Sequence, residues 1–250
     1  MLSDQELLRY SRHIFLPDID VAGQQALADS RVLVLGAGGL GSPALMYLAA
    51  AGVGHLVISD PDVVDLSNLQ RQIIHTTDRL EHTKVDSAAA QIRSLNPHVT
   101  LTLLDHKLTE VELEAEVAQA TLVVIGTDNF ASRQAANLAC LAQCTPLVSA
   151  AAIAWEGQIT VFDPRQAESP CFACLYPDGN DQALNCAETG VVSPLVGILG
   201  SYQALEALKV ITGAGQPLVG RLQLFDAKQG TWHSLRLTRN PECPACGSTA

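Results

Sequence analysis

The chain has 250 residues, a length that suits one large α/β domain, or one domain with an appendage, better than two independent domains. Apolar residues make up 48% and charged residues 16%, which excludes a disordered chain and provides for a sizeable core. With 26 acids against 15 bases the net charge is −11. That argues against whole-surface binding to nucleic acid or an anionic membrane but leaves room for a small basic pocket.

Residues 44–58 form the nearest thing to a long apolar run, yet Gly52, Gly54 and His55 break its second half. It reads as a helix turning into a strand, so no membrane span is expected. The acidic start, MLSDQE, lacks the features of a signal peptide, and a cytoplasmic protein is expected. Seven cysteines in a reducing compartment point to thiol chemistry or metal.

In chain order, Ser3-x-x-Glu6 is a capping box that opens a helix. Leu7, Ile14 and Phe15 fall on its apolar side, and Arg9, Arg12 and His13 lie on another face that reads as solvated. RVLVLG at 31–36 is a strand suited to the interior of a parallel sheet. A glycine-rich turn, an alanine-rich helix over about 42–51 and a strand at 55–60 ending in Asp60 complete a βαβ unit. The polar stretch 61–79 is too long for a simple connection, which is a mark of function. Helices are expected near 83–94, 110–120 and 132–143, with strands near 99–104, 122–126 and 146–149. Antiparallel strands follow at 158–162, 221–225 and 231–237, with a long helix over about 194–211 between the first and the other two.

Gly36-Ala37-Gly38-Gly39-Leu40-Gly41 matches G-x-G-x-x-G between a strand and a helix. Such glycines permit a tight turn and close approach to phosphate, while the helix N-terminus supplies free N–H groups. Asp60 closes the next strand, where a carboxylate can accept ribose hydroxyls. An adenine nucleotide is implied, without a choice among NAD, FAD, SAM and ATP. Ser42 and Pro43 stand where a Walker motif needs Lys and then Ser or Thr. Cations for a bound triphosphate must therefore come from elsewhere, and Arg71 and Lys84 are the candidates.

Cys171-x-x-Cys174 and Cys243-x-x-Cys246 are two chelating knuckles with 68 residues between them. Together they complete the S4 shell of structural zinc, closed to catalysis. Cys140 and Cys144, four apart on a helix, read as core residues. Cys186 lies in a polar stretch, 178–190, where a nucleophile and an incidental thiol are equally compatible with the sequence.

RYSRHI, GAGGLGS, VISD, DLSNLQRQ, HTKVDSA, GTDN, EGQITVF, NCAETGVVSPLVG and the paired CxxC knuckles make the chain resemble, almost end to end, the MoeB/ThiF family. These are bacterial relatives of ubiquitin-activating enzymes. The resemblance implies a doubly wound α/β fold of Rossmann type with a mixed sheet. Its ATP-binding half spans about 1–150 and its zinc-stabilised, antiparallel, carrier-binding half about 151–250. It implies ATP-dependent adenylation of the C-terminal glycine of a ubiquitin-like sulfur carrier, with ATP, Mg²⁺ and Zn²⁺ as cofactors. Family roles place Gly36, Gly38, Gly39 and Gly41 at the nucleotide and Asp60 on its ribose. Ser67, Asn68, Leu69, Gln70, Arg71 and Lys84 fall on the phosphate side. Asp128, with Asn129 beside it, falls to Mg²⁺. Arg12 would reach into the partner site of a homodimer, and Cys186 matches a cysteine that forms an acyl-persulfide link in one branch.

The opening LSDQELLRYSRHI and CAETGVVSPLVG resemble the molybdopterin branch more than the thiamine branch. With no appended rhodanese domain expected, sulfur would come from a separate donor. A flexible Gly-Gly tail on the carrier would thread toward the α-phosphate, and the segment 178–189 would be mobile until the carrier binds. Two readings of other classes remain at this level. One is an NAD-dependent oxidoreductase, which would not need SNLQRQ, Lys84 or TDN; the other is a non-catalytic zinc-stabilised scaffold for ubiquitin-like proteins.

Overall fold

The computed structural model describes residues 2–177 and 190–247. Eight strands form one sheet: β1 (Arg31–Leu35), β2 (His55–Ser59), β3 (Thr100–Leu104), β4 (Leu122–Ile125), β5 (Leu147–Ile153), β6 (Glu156–Phe162), β7 (Arg221–Asp226) and β8 (Thr231–Arg236), in the spatial order β3-β2-β1-β4-β5-β6-β7-β8. Pairing is parallel from β3 through β5 and antiparallel from β5 through β8. The expected parallel and antiparallel halves are thus both present, and strand starts and ends fall within a few residues of expectation.

The helices are α1 (Asp4–Arg9), α2 (Ser11–Ile14), α3 (Asp20–Asp29), α4 (Gly41–Ala51), α5 (Lys84–Leu95), α6 (Glu110–Gln119), α7 (Phe130–Gln143), α8 (Phe172–Leu175) and α9 (Ser193–Thr212). Strand residues alternate between two cores. Val32 and Val34 pack with α4, α5 and α9 residues such as Leu48, Ile92 and Leu199. Leu33 and Leu35 pack with α6 and α7 residues such as Val117 and Ala136. Side chains of successive strand residues point to opposite faces, and helices cover both, so an unbroken apolar run is required in a strand such as β1.

The N-terminal capping box forms as expected, with Ser3 and Glu6 exchanging hydrogen bonds. The helix it opens does not continue to Phe15: α1 ends at Arg9, Tyr10 caps it and opens α2, and Phe15 is 70% exposed. Buried Tyr10, which accepts a hydrogen bond from Asn96 Nδ2, anchors the break. Helix α3 carries no sequence signal because its buried residues are Gly23, Gln24 and Leu27, only one of them strongly apolar. Gln24 holds it in place by donating to the Ala51 carbonyl.

Two expectations are corrected. Cys140 is buried, but Cys144 is exposed; it caps α7 in the left-handed conformation, with φ 53°, and leaves the helix face. Contrary to the expected lack of any span-length segment, α9 is by length and composition long and apolar enough to cross a membrane. It is a core helix in this fold. Its buried side carries Gln203, which donates to the Ile125 carbonyl, and Glu206, which accepts from the Leu218 N–H and pairs with Lys209.

Candidate active site

Gly36 follows the end of β1 and Asp60 that of β2, while Gly126 follows β4 on the other side of β1. Crossovers leave β1 and β4 in opposite directions, so their carboxyl ends open a crevice, the usual ligand position in such sheets. A cavity of about 640 Å³ occupies it. Gly36, Gly38, Gly39, Asp60, Arg71, Lys84, Asp128 and Asn129 all line it. These residues span almost a hundred positions of sequence, and the sheet alone brings them together.

Gly36 has φ +95°, which only glycine adopts without strain. Gly41 does not line the cavity. A Cβ there would lie 1.9 Å from the Gly36 carbonyl oxygen, so its role is to let α4 start against the turn. Gly39 packs against Val196 of α9.

Asp60 is buried, with Oδ2 accepting the Ala37 N–H at 2.8 Å and Oδ1 the Asp62 N–H at 3.0 Å. Burial pushes its carboxyl up, against the opposing pull of Lys84 and these amides. Lys84 Nζ lies 2.6 Å from Asp62 Oδ2 and 3.9 Å from Asp60 Oδ1. Asp62 is largely exposed, whereas Asp60 is buried. Thr83 caps α5 and sets Lys84 at its first position.

The long polar connection carries two short 3₁₀ turns, Leu66–Asn68 and Thr77–Arg79. Ser67, Asn68, Leu69 and Gln70 do not line the cavity. Ser67 and Asn68 support Arg71, whose guanidinium donates to the Ser67 carbonyl at 3.2 Å and to Asn68 Oδ1 at 3.5 Å. Asn68 Oδ1 accepts from Gln72 Nε2 at 3.0 Å. Asp128 is exposed at the cavity wall, and Asn129 caps α7 by accepting the Ser132 N–H. Arg12 is exposed on α2 and lies away from the cavity of its own chain. Cys186 and the segment 178–189 lie outside the described residues.

Sequence reasoning missed Gln72, His75, Asp62 and Arg133. Gln72 is buried at the cavity wall beside Gly38, and its Oε1 has no hydrogen-bond partner among the described residues; Thr127 Oγ1 is in the same state. Orphaned polar atoms beside a glycine cradle fit a polar nucleotide. Arg133 ties the segment after β4 to the middle of β5 by donating to the Thr127 and Ala150 carbonyls. Gln72 closes the DLSNLQRQ motif without being given a role there, and no motif pointed to His75.

A second cavity of about 390 Å³ shares the wall residues Ala151 and Ala152 with the first and is lined by residues of β5, β6, β7 and β8 at the antiparallel side of the sheet. Gly157, Tyr176, Phe225 and His233 are among its walls. Nearby, Trp232 is 41% exposed and stacks on Phe225 at 4.4 Å.

The four knuckle cysteines converge, with all Sγ atoms within 4.8 Å of one another. Separations of 3.9, 3.6 and 3.4 Å link Cys171 to Cys174, Cys171 to Cys243 and Cys174 to Cys246. A tetrahedron with bonds of about 2.3 Å has edges of about 3.8 Å, so the set fits a zinc-sized dication. Burial, together with neighbouring sulfurs, pushes Cys246 up to about 11 and Cys171 higher still. Against its burial, the backbone N–H groups of Cys246 and Ala245 and the thiols of Cys171 and Cys174 draw Cys243 down to about 7. A bound dication favours the thiolate form of all four.

Fold, crevice and relatives make this chain an adenylyltransferase. It belongs to the ThiF family, whose model matches residues 10–245. It is 48% identical over 246 residues to the molybdopterin-synthase adenylyltransferase of Escherichia coli K12, covering 98% of each chain. It is 47% identical over 248 residues to the sulfur carrier protein ThiS adenylyltransferase of the same organism, covering 99% of this chain and 98% of the other. The fold matches a crystal structure of E. coli MccB with ATP at a TM-score of 0.83 and 21% identity, covering 96% of this chain and 73% of that one.

Proposed function

We propose that this enzyme uses ATP and Mg²⁺ to adenylate the C-terminal glycine of a ubiquitin-like sulfur-carrier protein, most closely the small subunit of molybdopterin synthase. The observation that carries this reading is the single cavity in which the glycine turn, Asp60, Arg71, Lys84 and Asp128 meet. A carboxylate oxygen of the carrier bonds to the α-phosphorus of ATP. The α–β bridging bond breaks, and pyrophosphate leaves with the electron pair. Both reactants are anions, so the chain's task is to offset their repulsion.

Backbone N–H groups of the turn and the start of α4 take the phosphates. Asp60 serves the ribose, and Arg71 and Lys84 neutralise phosphate charge once Lys84 leaves Asp62. Asp128 would hold Mg²⁺, which supplies further neutralisation of the phosphates. Arg12 enters from the partner subunit of a homodimer. The half up to about residue 150 binds ATP; the half after it binds the carrier, and zinc on Cys171, Cys174, Cys243 and Cys246 ties the C-terminal segment to it. The second cavity is the path of the carrier's Gly-Gly tail, a reading supported by the wall residues Ala151 and Ala152 that it shares with the first, and the exposed Trp232 and Leu235 receive the carrier's body. Sulfur comes from a separate donor, Cys186 is a candidate for an acyl-persulfide link, and the enzyme works in the cytoplasm.

The near-equal identity to both E. coli enzymes supports a second reading, with the thiamine-pathway carrier as substrate. Mass spectrometry of each carrier after incubation with enzyme, ATP and Mg²⁺ separates them: an adenylate is expected on the molybdopterin synthase subunit. Adenylate only on the thiamine carrier would select the second reading. Adenylate on neither, with NADH binding instead, would refute both.

A further inference from the structure

Ala37 is gripped at both of its backbone polar groups from behind the nucleotide turn. Asp60 accepts its N–H, and His75 Nε2 lies 2.9 Å from its carbonyl oxygen. A carbonyl only accepts, so Nε2 carries the hydrogen. In the neutral ring Nδ1 is then bare, and it accepts from the Ser87 hydroxyl at 2.9 Å. His75 and Ser87 are both buried, and burial favours the neutral imidazole. Ser87 lies three residues after Lys84 on α5, so one short chain of hydrogen bonds couples the turn to the helix that carries the phosphate-side lysine.

The Ala37–Gly38 peptide is planar and trans, with its carbonyl and its N–H pointing in opposite directions. Holding the carbonyl on His75 turns the Gly38 N–H away from His75. Gly38 lines the cavity, and no acceptor among the described residues takes its N–H. The clamp matters because Gly38 tolerates either sign of φ. An unheld peptide here can flip and present its carbonyl, a negative dipole end, to the phosphates.

We propose that His75 is a positioning residue of the nucleotide site: by holding the Ala37 carbonyl it aims the Gly38 N–H at a phosphate oxygen of the bound nucleotide. This rests on the adenylyltransferase reading above. A donor aimed in advance needs no reorganisation when the ligand arrives. His75→Phe keeps the ring and removes the donor; His75→Gln keeps a donor at the place of Nε2.

The test compares binding of ATP by titration calorimetry with binding of adenosine by ligand-observed NMR, on folded variants checked by thermal melting. His75→Phe should weaken ATP about tenfold or more and leave adenosine unchanged, as expected for one lost hydrogen bond to a charged group. His75→Gln should stay within about threefold of the unaltered enzyme. If His75→Phe does not fold, Ser87→Ala, which loosens the ring, should weaken ATP but not adenosine. Equal loss of both ligands, or unaltered ATP binding in the donor-free variant, would overturn the proposal. Failure of the unaltered enzyme to bind ATP would instead overturn the adenylyltransferase reading.

Discussion

An exposed arginine that touches nothing in its own cavity is the plainest residue-scale test of the mechanism. Arg12→Ala should leave the melting temperature unchanged, because the side chain is exposed on the short helix α2. Carrier-dependent ATP–pyrophosphate exchange should fall by about 10³-fold if the guanidinium stabilises charge in the transition state. Unchanged exchange would remove Arg12 from the mechanism. His75 gives a second test, through pH. Its folded pKa is held below the ordinary 6.5, first by burial and also by the charge of Lys84, against the Ala37 carbonyl. The unfolded chain therefore takes up a proton more readily than the native one. Stability supplied by neutral His75 is complete above pH 6.5 and is lost as pH falls from there through the lowered folded value. Urea unfolding of the unaltered enzyme should show this loss below pH 6.5. The slope should be smaller in His75→Gln, which cannot titrate; an identical slope would mean that His75 is not the group responsible.

Among the elements, the turn between β1 and α4 and the cysteine knot of the C-terminal segment carry the sharpest expectations. Gly41→Ala would set a methyl 1.9 Å from the Gly36 carbonyl oxygen, against fixed backbone with no flexible side chain to yield. The cost should be about 3 kcal/mol in urea unfolding, with loss of ATP binding, because α4 must retreat from the turn. A stable variant with intact ATP affinity would show that the close approach is dispensable. Removing zinc acts at the other end of the sheet. Metal analysis should find one zinc per chain, and a strong chelator should lower the melting temperature by about 10 °C. ATP affinity should survive, since the knuckles lie outside the nucleotide cavity. Loss of ATP binding on chelation would mean that the two halves are more tightly coupled than their separate positions suggest.

For the whole molecule, the question is whether one chain makes a complete site. If Arg12 is supplied across a dimer, Arg12→Ala and Lys84→Ala subunits complement each other. In an equal mixture half the dimers are mixed, and each mixed dimer has one doubly damaged and one intact site, so about a quarter of the activity should return. No recovery from two folded, dimeric parents would place Arg12 in its own chain's site or nowhere. The sequence determined by itself the features that are local in the chain. A glycine with positive φ, a capping box, an all-apolar strand and a chelating CxxC each state their geometry in a few consecutive residues, and together they carried the fold class, the cysteine cluster and the family. Gln72, His75 and Asp62 stayed silent because a glutamine, a histidine or an aspartate in a polar connection has no local meaning. Their partners, Gly38, Ala37 and Lys84, are supplied only when α5 and that connection fold back over the turn, and the second cavity likewise exists only once β6 lies beside β5 and β7 beside β6. Contacts between residues distant in sequence were decided by tertiary packing, because the free energy that selects them comes from burying both partners at once.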